Sequence, residues 1–350
     1  MRSLKFAYVI VLPLLILAII IYVWAFSQHI LQMKSGILSL QPAFTYFKIN
    51  DLKRVTLTSD DHGKSNINET CNSSNCIVLS VVCCLDRFEE TYTMIKSAIM
   101  LTKSNLIIEI FTEEETMPLF NALESKWPQH IRKRVKMKLN PAVYPVGVQD
   151  KTWRNLFRKC ASIRLFLPSL LKYVDSVIYV DTDVLFLAPL DELWSHFKHM
   201  NASQMVALAP EHEDPATGWY NRFAKHPYYG KLGVNSGVML MNLTRLRNFG
   251  WVDYMAPIEK EFHSKISWGD QDIINIVFHY HPDKLYLMGC EYNYRPDHCM
   301  YMNMCKSVIE RGVYALHGNR KVFHNKKQPA FRVIYQAWKK EVMLRPQSRI

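Results

Sequence analysis

The chain has 350 residues, of which 49% are apolar and 12% aromatic, and a formal charge of +12. That composition can bury one large core or two modest ones, which excludes a chain disordered or membrane-embedded along its whole length. The positive charge invites a nucleic-acid reading. However, the densest basic cluster (Arg132, Lys133, Arg134, Lys136, Lys138) lacks interleaved aromatic residues and reads as a solvated face that helps attract an anionic small molecule, with no nucleic acid among the partners.

From Ala7 to Phe26 there is no charged residue. About 20 residues at 1.5 Å each span roughly 30 Å, the hydrocarbon thickness of a bilayer. Arg2 and Lys5 precede the run, and the next lysine is Lys34. This bias predicts a short cytosolic tail (1–6), a signal-anchor helix (7–26) and a lumenal remainder, the topology of a type II membrane protein. Cleavage near Ala25-Phe26-Ser27 is the alternative, but the apolar run is longer than a usual signal peptide's. Either way the rest of the chain faces the lumen of the endoplasmic reticulum or Golgi, with the choice between them open. Four N-x-Ser/Thr sequons, at Asn68, Asn72, Asn201 and Asn242, agree with that compartment. Eight cysteines there predict disulfides, with a bridge among Cys290, Cys299 and Cys305, whereas Cys83 and Cys84 sit adjacent in an apolar run that suits a buried thiol.

Residues 27–76 are polar and aperiodic and read as a stem. Residues 77–340 read as one α/β domain with a mostly parallel central sheet, and 341–350 as a tail. Ile77–Cys83 is a continuous apolar run, as for a strand covered on both faces, followed by a helical pattern from Phe88 to Ile99 and a second strand over Leu106–Phe111. Such β–α–β order predicts parallel strands with right-handed crossovers. The pattern continues with a helix over Ala161–Tyr173, interrupted near Pro168, then strands over Val177–Val180 and Val238–Met241, and a helix over Gln271–Phe278.

Asp181-Thr182-Asp183 follows the strand ending at Val180. In extended chain its two carboxylates point the same way and Thr182 the other. Two carboxylates at the carboxyl end of a parallel strand repel one another unless a cation neutralises them, and a hard divalent ion would also accept diphosphate oxygens. His317-Gly318 closes the apolar stretch Val313–Leu316, where an imidazole can reach the same ion while the Gly318 backbone approaches phosphate. Gly269-Asp270-Gln271-Asp272 opens the last helix. Asp270 can serve as its N-cap, and two carboxylates flanking an amide can also bind sugar hydroxyls.

D-T-D at 181–183, Asn235-Ser236-Gly237-Val238-Met239-Leu240, W-G-D-Q-D at 268–272 and the late His317-Gly318 together resemble the retaining glycosyltransferase family that includes glycogenin (GT8). Five longer blocks are similar to the glucoside xylosyltransferases: Val180–Leu187, Ala209–Glu213, Gly218–Gly230, N-Y-R-P-D-H-C at 293–299 and L-H-G-N-R at 316–320. The resemblance implies a GT-A fold over roughly 77–340 and a UDP-xylose donor with Mn²⁺ as cofactor. It further implies α1,3 transfer of xylose to O-linked glucose on EGF-like repeats such as those of Notch. Carried over by position, Asp181, Asp183 and His317 would be the metal ligands. Arg164, Thr182, Gly237 and Gly318 would border the donor's sugar or phosphates, with Val82, Cys83, Cys84 and Arg87 around the uridine. Asn235, Ser236, Asp270, Gln271 and Asp272 would surround the transferred sugar, the last three as catalytic candidates. Arg295 is expected at the acceptor, and the aromatic residues of the 218–230 run (Trp219, Tyr220, Phe223, Tyr228 and Tyr229) read equally as stacking on the acceptor or as core packing. Where bacterial relatives carry a phosphate-binding lysine, this chain offers Arg320 or Lys321.

Retention of configuration is expected by front-face attack, with Asp270 or Asp272 kept open as nucleophile of a double displacement. A different UDP-sugar or acceptor is the nearest alternative. A glycoside hydrolase would need a carboxyl pair straddling the bond and no metal. A non-catalytic binder of sugars or EGF repeats would be expected to have lost D-x-D or its histidine, and this chain keeps both.

Overall fold

The computed structural model describes residues 76–341 and 343, apart from 146–147, 149–151, 154–159 and 301. The expected anchor and stem, with the sequons at Asn68 and Asn72, lie outside the described residues, as does nearly all of the C-terminal tail.

All eight residues of β1 (Cys76–Cys83) are buried, as its unbroken apolar run requires. It pairs in parallel with β2 (Asn105–Thr112) on one side and β4 (Ser176–Val180) on the other. Beyond β2 lies β3 (Val135–Pro141), also parallel. With β6 (Val206–Pro210), β7 (Val234–Asn242) and β8 (Leu285–Leu287) the seven-stranded sheet runs in the order β3-β2-β1-β4-β7-β6-β8.

Among these strands only β7 runs against the rest, antiparallel to both β4 and β6. A strand buried on both faces reads the same in either direction, so hydrophobic pattern does not reveal this reversal. Its consequence is local: the beginning of β7 lies beside the end of β4, and the Asp181 amide donates to the Gly237 carbonyl at 2.9 Å. One residue after the D-T-D motif, β5 (Val184–Phe186) pairs antiparallel with β9 (Ala315–His317), which sets His317 opposite Val184.

Helix α1 (Phe88–Leu101) covers one face of β1 with Met94, Ile95, Ala98 and Ile99, all essentially inaccessible. Glu89 and Glu90 occupy its first turn, where the helix dipole favours acids, and the Arg134 guanidinium donates to the Ile99 carbonyl near its end. On the other face α2 (Trp251–Phe262) and α3 (Asp270–Tyr280) complete the core through Trp251, Met255, Ile274 and Phe278. A last helix, α4 (Pro329–Lys340), packs behind α1, and the buried Lys96 ammonium donates to the carbonyls of Trp338, Lys339 and Glu341 at its C-terminus.

The expected helix over 161–173 is instead a 3₁₀ segment, Ala161–Phe166, followed by one α-turn, Leu167–Leu170. The break falls at Phe166 (φ −99°, ψ 2°), and Pro168, which has no amide hydrogen to donate, stands in the first turn of the second piece. At α3 the cap is Gly269, at φ 68° and ψ −132°, a conformation open to glycine. Asp270 is thus the first residue of the helix rather than its N-cap. Cys84 is bonded to Cys160, and Cys290 to Cys305. Cys83 is a buried free thiol and Cys299 a half-buried one.

Candidate functional site

A cavity of about 1030 Å³ opens beyond the carboxyl ends of β1 and β4, where the strand order turns back on itself and open α/β sheets bind ligands. The Cys84–Cys160 disulfide ties the segment carrying Arg164 to the end of β1, so both form one wall.

Extended chain through residue 181 and the β5–β9 pair bring Asp181, Asp183 and His317 together, with one ligand atom from each lying within 4.8 Å of the others. His317 Nε2 is 3.9 Å from Asp181 Oδ2 and 3.5 Å from Asp183 Oδ1. Two carboxylates and an imidazole form an oxygen-and-nitrogen donor set that can hold a divalent cation. Burial holds the Asp181 carboxyl above the ordinary range, although Arg164 and His317 pull it down. Burial also acts on Asp183, but the neighbouring His317 and the nearby Arg87 charge outweigh it and leave that carboxyl below the ordinary range.

Gly237 lies beneath the imidazole. A Cβ there would stand 2.1 Å from His317 Cε1, closer than any real contact, so only glycine leaves room for the ring. Arg164 is buried and already committed: Nη1 donates to Asp181 Oδ1 (2.9 Å) and the Ser236 carbonyl (2.7 Å), while Nε and Nη2 grip Asp270. Tyr179 donates to the same Asp181 oxygen at 3.2 Å.

Of the residues expected at the site, Val82, Cys84, Arg87, Arg164, Asp181, Thr182, Asp183, Trp219, Asn235, Ser236, Gln271, His317, Arg320 and Lys321 line the cavity. The others expected there do not. Cys83 points to the opposite face of the sheet because neighbours in a strand alternate, and burial pushes its thiol up to about 11. Gly237 and Gly318 lie behind His317 and Phe323. Asp270 is buried on Arg164. Asp272 accepts from the Tyr220 hydroxyl (2.7 Å) and from the amides of Ser267 and Trp268 (2.7 and 2.8 Å), so it anchors the loop before α3. Tyr220 is therefore a core residue, and Tyr228 packs on it edge-to-face. Arg295, wholly buried, pairs with Glu211 at 3.0 Å. Sequence does not separate an aromatic or cationic side chain on the wall from one directly beneath it.

The sequence assigned no role to Glu211, Trp268, Tyr179 or Asn319, all of which line the cavity. Glu211, Trp268 and Asn319 lie within the runs that carried the family resemblance, which was the available signal. Trp268 meets Trp219 edge-to-face at 4.8 Å, forming an apolar wall suited to a sugar ring. Arg320 lies over the Trp219 ring at 5.4 Å and pairs with Asp297 at 2.9 Å. Lys321 beside it makes no ion pair among the described residues. Arg320 and Lys321 hold φ of 58° and 60°, a region side-chain-bearing residues seldom occupy. Of the described sequons, Asn201 is exposed, whereas Asn242 is half-buried and caps the helix that follows by accepting from the Arg245 amide at 2.9 Å.

Residues 76–313 match glycosyl transferase family 8. Glucoside xylosyltransferase 2 of Mus musculus is 48% identical over 272 residues, which is 75% of this chain and 61% of that protein. Glucoside xylosyltransferase 1 of Homo sapiens is 48% identical over 273 residues, 74% of this chain and 61% of that protein. The chain thus spans about three fifths of the length of these relatives. Among solved structures, the galactosyltransferase LgtC with donor and acceptor sugar analogues superposes with a TM-score of 0.59 at 15% identity, covering 77% of this chain and 98% of that one. Apo mouse xyloside xylosyltransferase 1 gives 0.51 at 20% identity, covering 70% and 98%. The fold is a GT-A-like α/β glycosyltransferase fold with a mostly parallel central sheet.

Proposed function

Because the chain belongs to glycosyl transferase family 8, we propose that it is a metal-dependent glucoside xylosyltransferase that moves xylose from UDP-xylose in α1,3 linkage to O-linked glucose on EGF-like repeats. The observation that carries this reading is the convergence of Asp181, Asp183 and His317 on one point of a cavity large enough for a nucleotide sugar. The relatives named as glucoside xylosyltransferases support the choice of xylose and of a glucoside acceptor.

Asp181, Asp183 and His317 would hold Mn²⁺, and the chemistry it would supply there is Lewis-acid stabilisation of charge on the leaving diphosphate. Arg87 and Lys321 face the same cavity. Arg320 is engaged by Asp297 and Trp219, so Lys321 is the residue we assign to phosphate. Asp270 and Asp272 are both buried and saturated by donors, which argues against either as a nucleophile. The remaining course is front-face displacement: the acceptor hydroxyl oxygen bonds to the anomeric carbon as the bond to the β-phosphate oxygen breaks. The hydroxyl proton passes to that phosphate oxygen, and the configuration is retained. Gln271 and Asn235 would hold hydroxyls of the transferred sugar, and Trp219 with Trp268 the acceptor.

We further assign residues 7–26 as a signal-anchor holding the domain in the lumen of the Golgi or endoplasmic reticulum, where secreted and cell-surface acceptors pass. No helix among the described residues is long and apolar enough to cross a membrane, and this segment lies outside them. The test is incubation of the protein with an O-glucosylated EGF repeat, a panel of UDP-sugars and Mn²⁺. Xylose transfer abolished by EDTA is expected; transfer of another sugar, or indifference to EDTA, would overturn the assignment.

A further inference from the structure

Side-chain amides present oxygen at one end and nitrogen at the other, and their direction is defined only where a neighbour can solely donate or solely accept. Two backbone amides supply that reference here. The Gly237 N–H donates to Asn235 Oδ1 at 3.0 Å, and the Ser236 N–H to Gln271 Oε1 at 3.3 Å. Asn235 Nδ2 consequently faces Glu211 Oε2, at 2.7 Å. The same oxygen receives Arg295 Nη1 at 3.0 Å and Gln271 Nε2 at 3.1 Å, three donors on one acceptor.

The order then propagates. Asn293 Nδ2 donates to Asn235 Oδ1 at 2.8 Å, which turns Asn293 Oδ1 toward His317 Nδ1, 2.9 Å away. An amide oxygen only accepts, so Nδ1 carries the ring hydrogen. In a neutral imidazole the lone pair is then on Nε2, the nitrogen that faces Asp181 and Asp183. Asn293 and Arg295 are fully buried, and Glu211, His317 and Asn235 nearly so, so water does not substitute for these partners.

We propose that Asn293 is a positioning residue that fixes His317 in the Nδ1–H tautomer and so presents Nε2 as a metal ligand, with Asn235, Glu211 and Arg295 fixing Asn293 in turn. This rests on the metal-site reading above. With Asn293 reversed, its nitrogen would face Nδ1, the hydrogen would move to Nε2, and the ring would offer the cation no lone pair. Partners of this kind typically govern metal affinity by 10–100-fold. The chain also joins the cation site to Gln271 and Asn235 on the cavity wall, because both share Glu211 with Arg295.

The test has two parts, both on the full chain in detergent. First, ¹⁵N-histidine NMR of the metal-free protein in alkaline buffer, with the His317 signal identified by its loss in His317→Gln, is expected to show Nδ1–H. An Nε2–H ring would overturn the proposal without recourse to any variant at Asn293. Second, Mn²⁺ titration followed by electron paramagnetic resonance is expected to give about 10–100-fold weaker binding for Asn293→Leu. Asn293→Asp, which still offers an oxygen to Nδ1 but sets a second oxygen against Asn235 Oδ1, is expected to recover part of the loss. Equal affinity in wild type and Asn293→Leu would overturn the role of Asn293. A wild type that binds no Mn²⁺ would instead overturn the metal-site reading on which the proposal rests.

Discussion

At Asp272 the Tyr220 hydroxyl and two backbone amides converge on one buried carboxylate, with His226 Nε2 3.1 Å from the same oxygen that Tyr220 uses. His226 Nδ1 lies 2.8 Å from the Pro227 carbonyl, an acceptor, so this nitrogen carries a hydrogen. Burial opposes charge on the ring, but Asp272 outweighs it and the pKa is raised. A raised folded-state pKa stabilises the protein fully below the unfolded value, about 6.5, and that contribution is lost as pH rises through the folded value. Urea unfolding across this window is expected to show wild type losing stability relative to His226→Gln as pH rises; parallel curves would remove the ion pair. At the cavity wall the two adjacent cations separate by their partners. Lys321→Ala is expected to lower kcat by about 100-fold, the usual cost of one charge-stabilising donor, and Arg320→Ala by much less, since its guanidinium already serves Asp297. Steady-state kinetics decides between them, and the reverse order would transfer the phosphate role to Arg320.

The strand β7 explains much of what sequence could and could not reveal. Its apolar run is plain in Val238–Met241, whereas the two carboxylates meet through a turn and not through strand alternation: Thr182 and Asp183 are turn residues, the Val184 amide donates to the Asp181 carbonyl at 3.3 Å, and Thr182 lines the cavity beside both aspartates. Direction was hidden because both faces are buried, and with it the physical reason that Asn235–Gly237 adjoin Asp181. Side-chain partnerships across distant segments were hidden too: Asn293, Asn235 and Glu211 lie in three separate stretches, and nothing local in each marks it as a link to His317. Cys83 and Cys84 show the same limit, since adjacent cysteines in a strand face opposite ways and only one reaches Cys160. Gly237 supplies the element-scale prediction. Gly237→Ala places a methyl carbon where the His317 ring lies, and the ring must move. Circular dichroism is expected to remain native while Mn²⁺ affinity falls at least about 10-fold. Unchanged affinity would mean that the ring position does not matter to the cation.

On the scale of the whole molecule, the ligands come from two elements that the chain joins late. Asp181 and Asp183 follow β4, while His317 ends β9, more than 130 residues on, and meets them only through the β5–β9 pair. An unfolded chain keeps Asp181 and Asp183 as neighbours but holds His317 far from them, so a cation that needs all three binds the folded state far more tightly. Linkage then requires the cation to stabilise the fold, by about 2.7 kcal/mol when its free concentration is 100 times its Kd. Mn²⁺ is therefore expected to raise Tm in a concentration-dependent way and EDTA to reverse it. Asp183→Asn, which removes one charged ligand without changing shape, is expected to abolish the rise while lowering the metal-free Tm by less, through the lost attraction to His317 and Arg87. That last comparison separates a ligand from a structural residue. If Asp183→Asn lowered the metal-free Tm by as much as it reduced the Mn²⁺ effect, the carboxylate would be supporting the loop after β4 rather than gripping an ion.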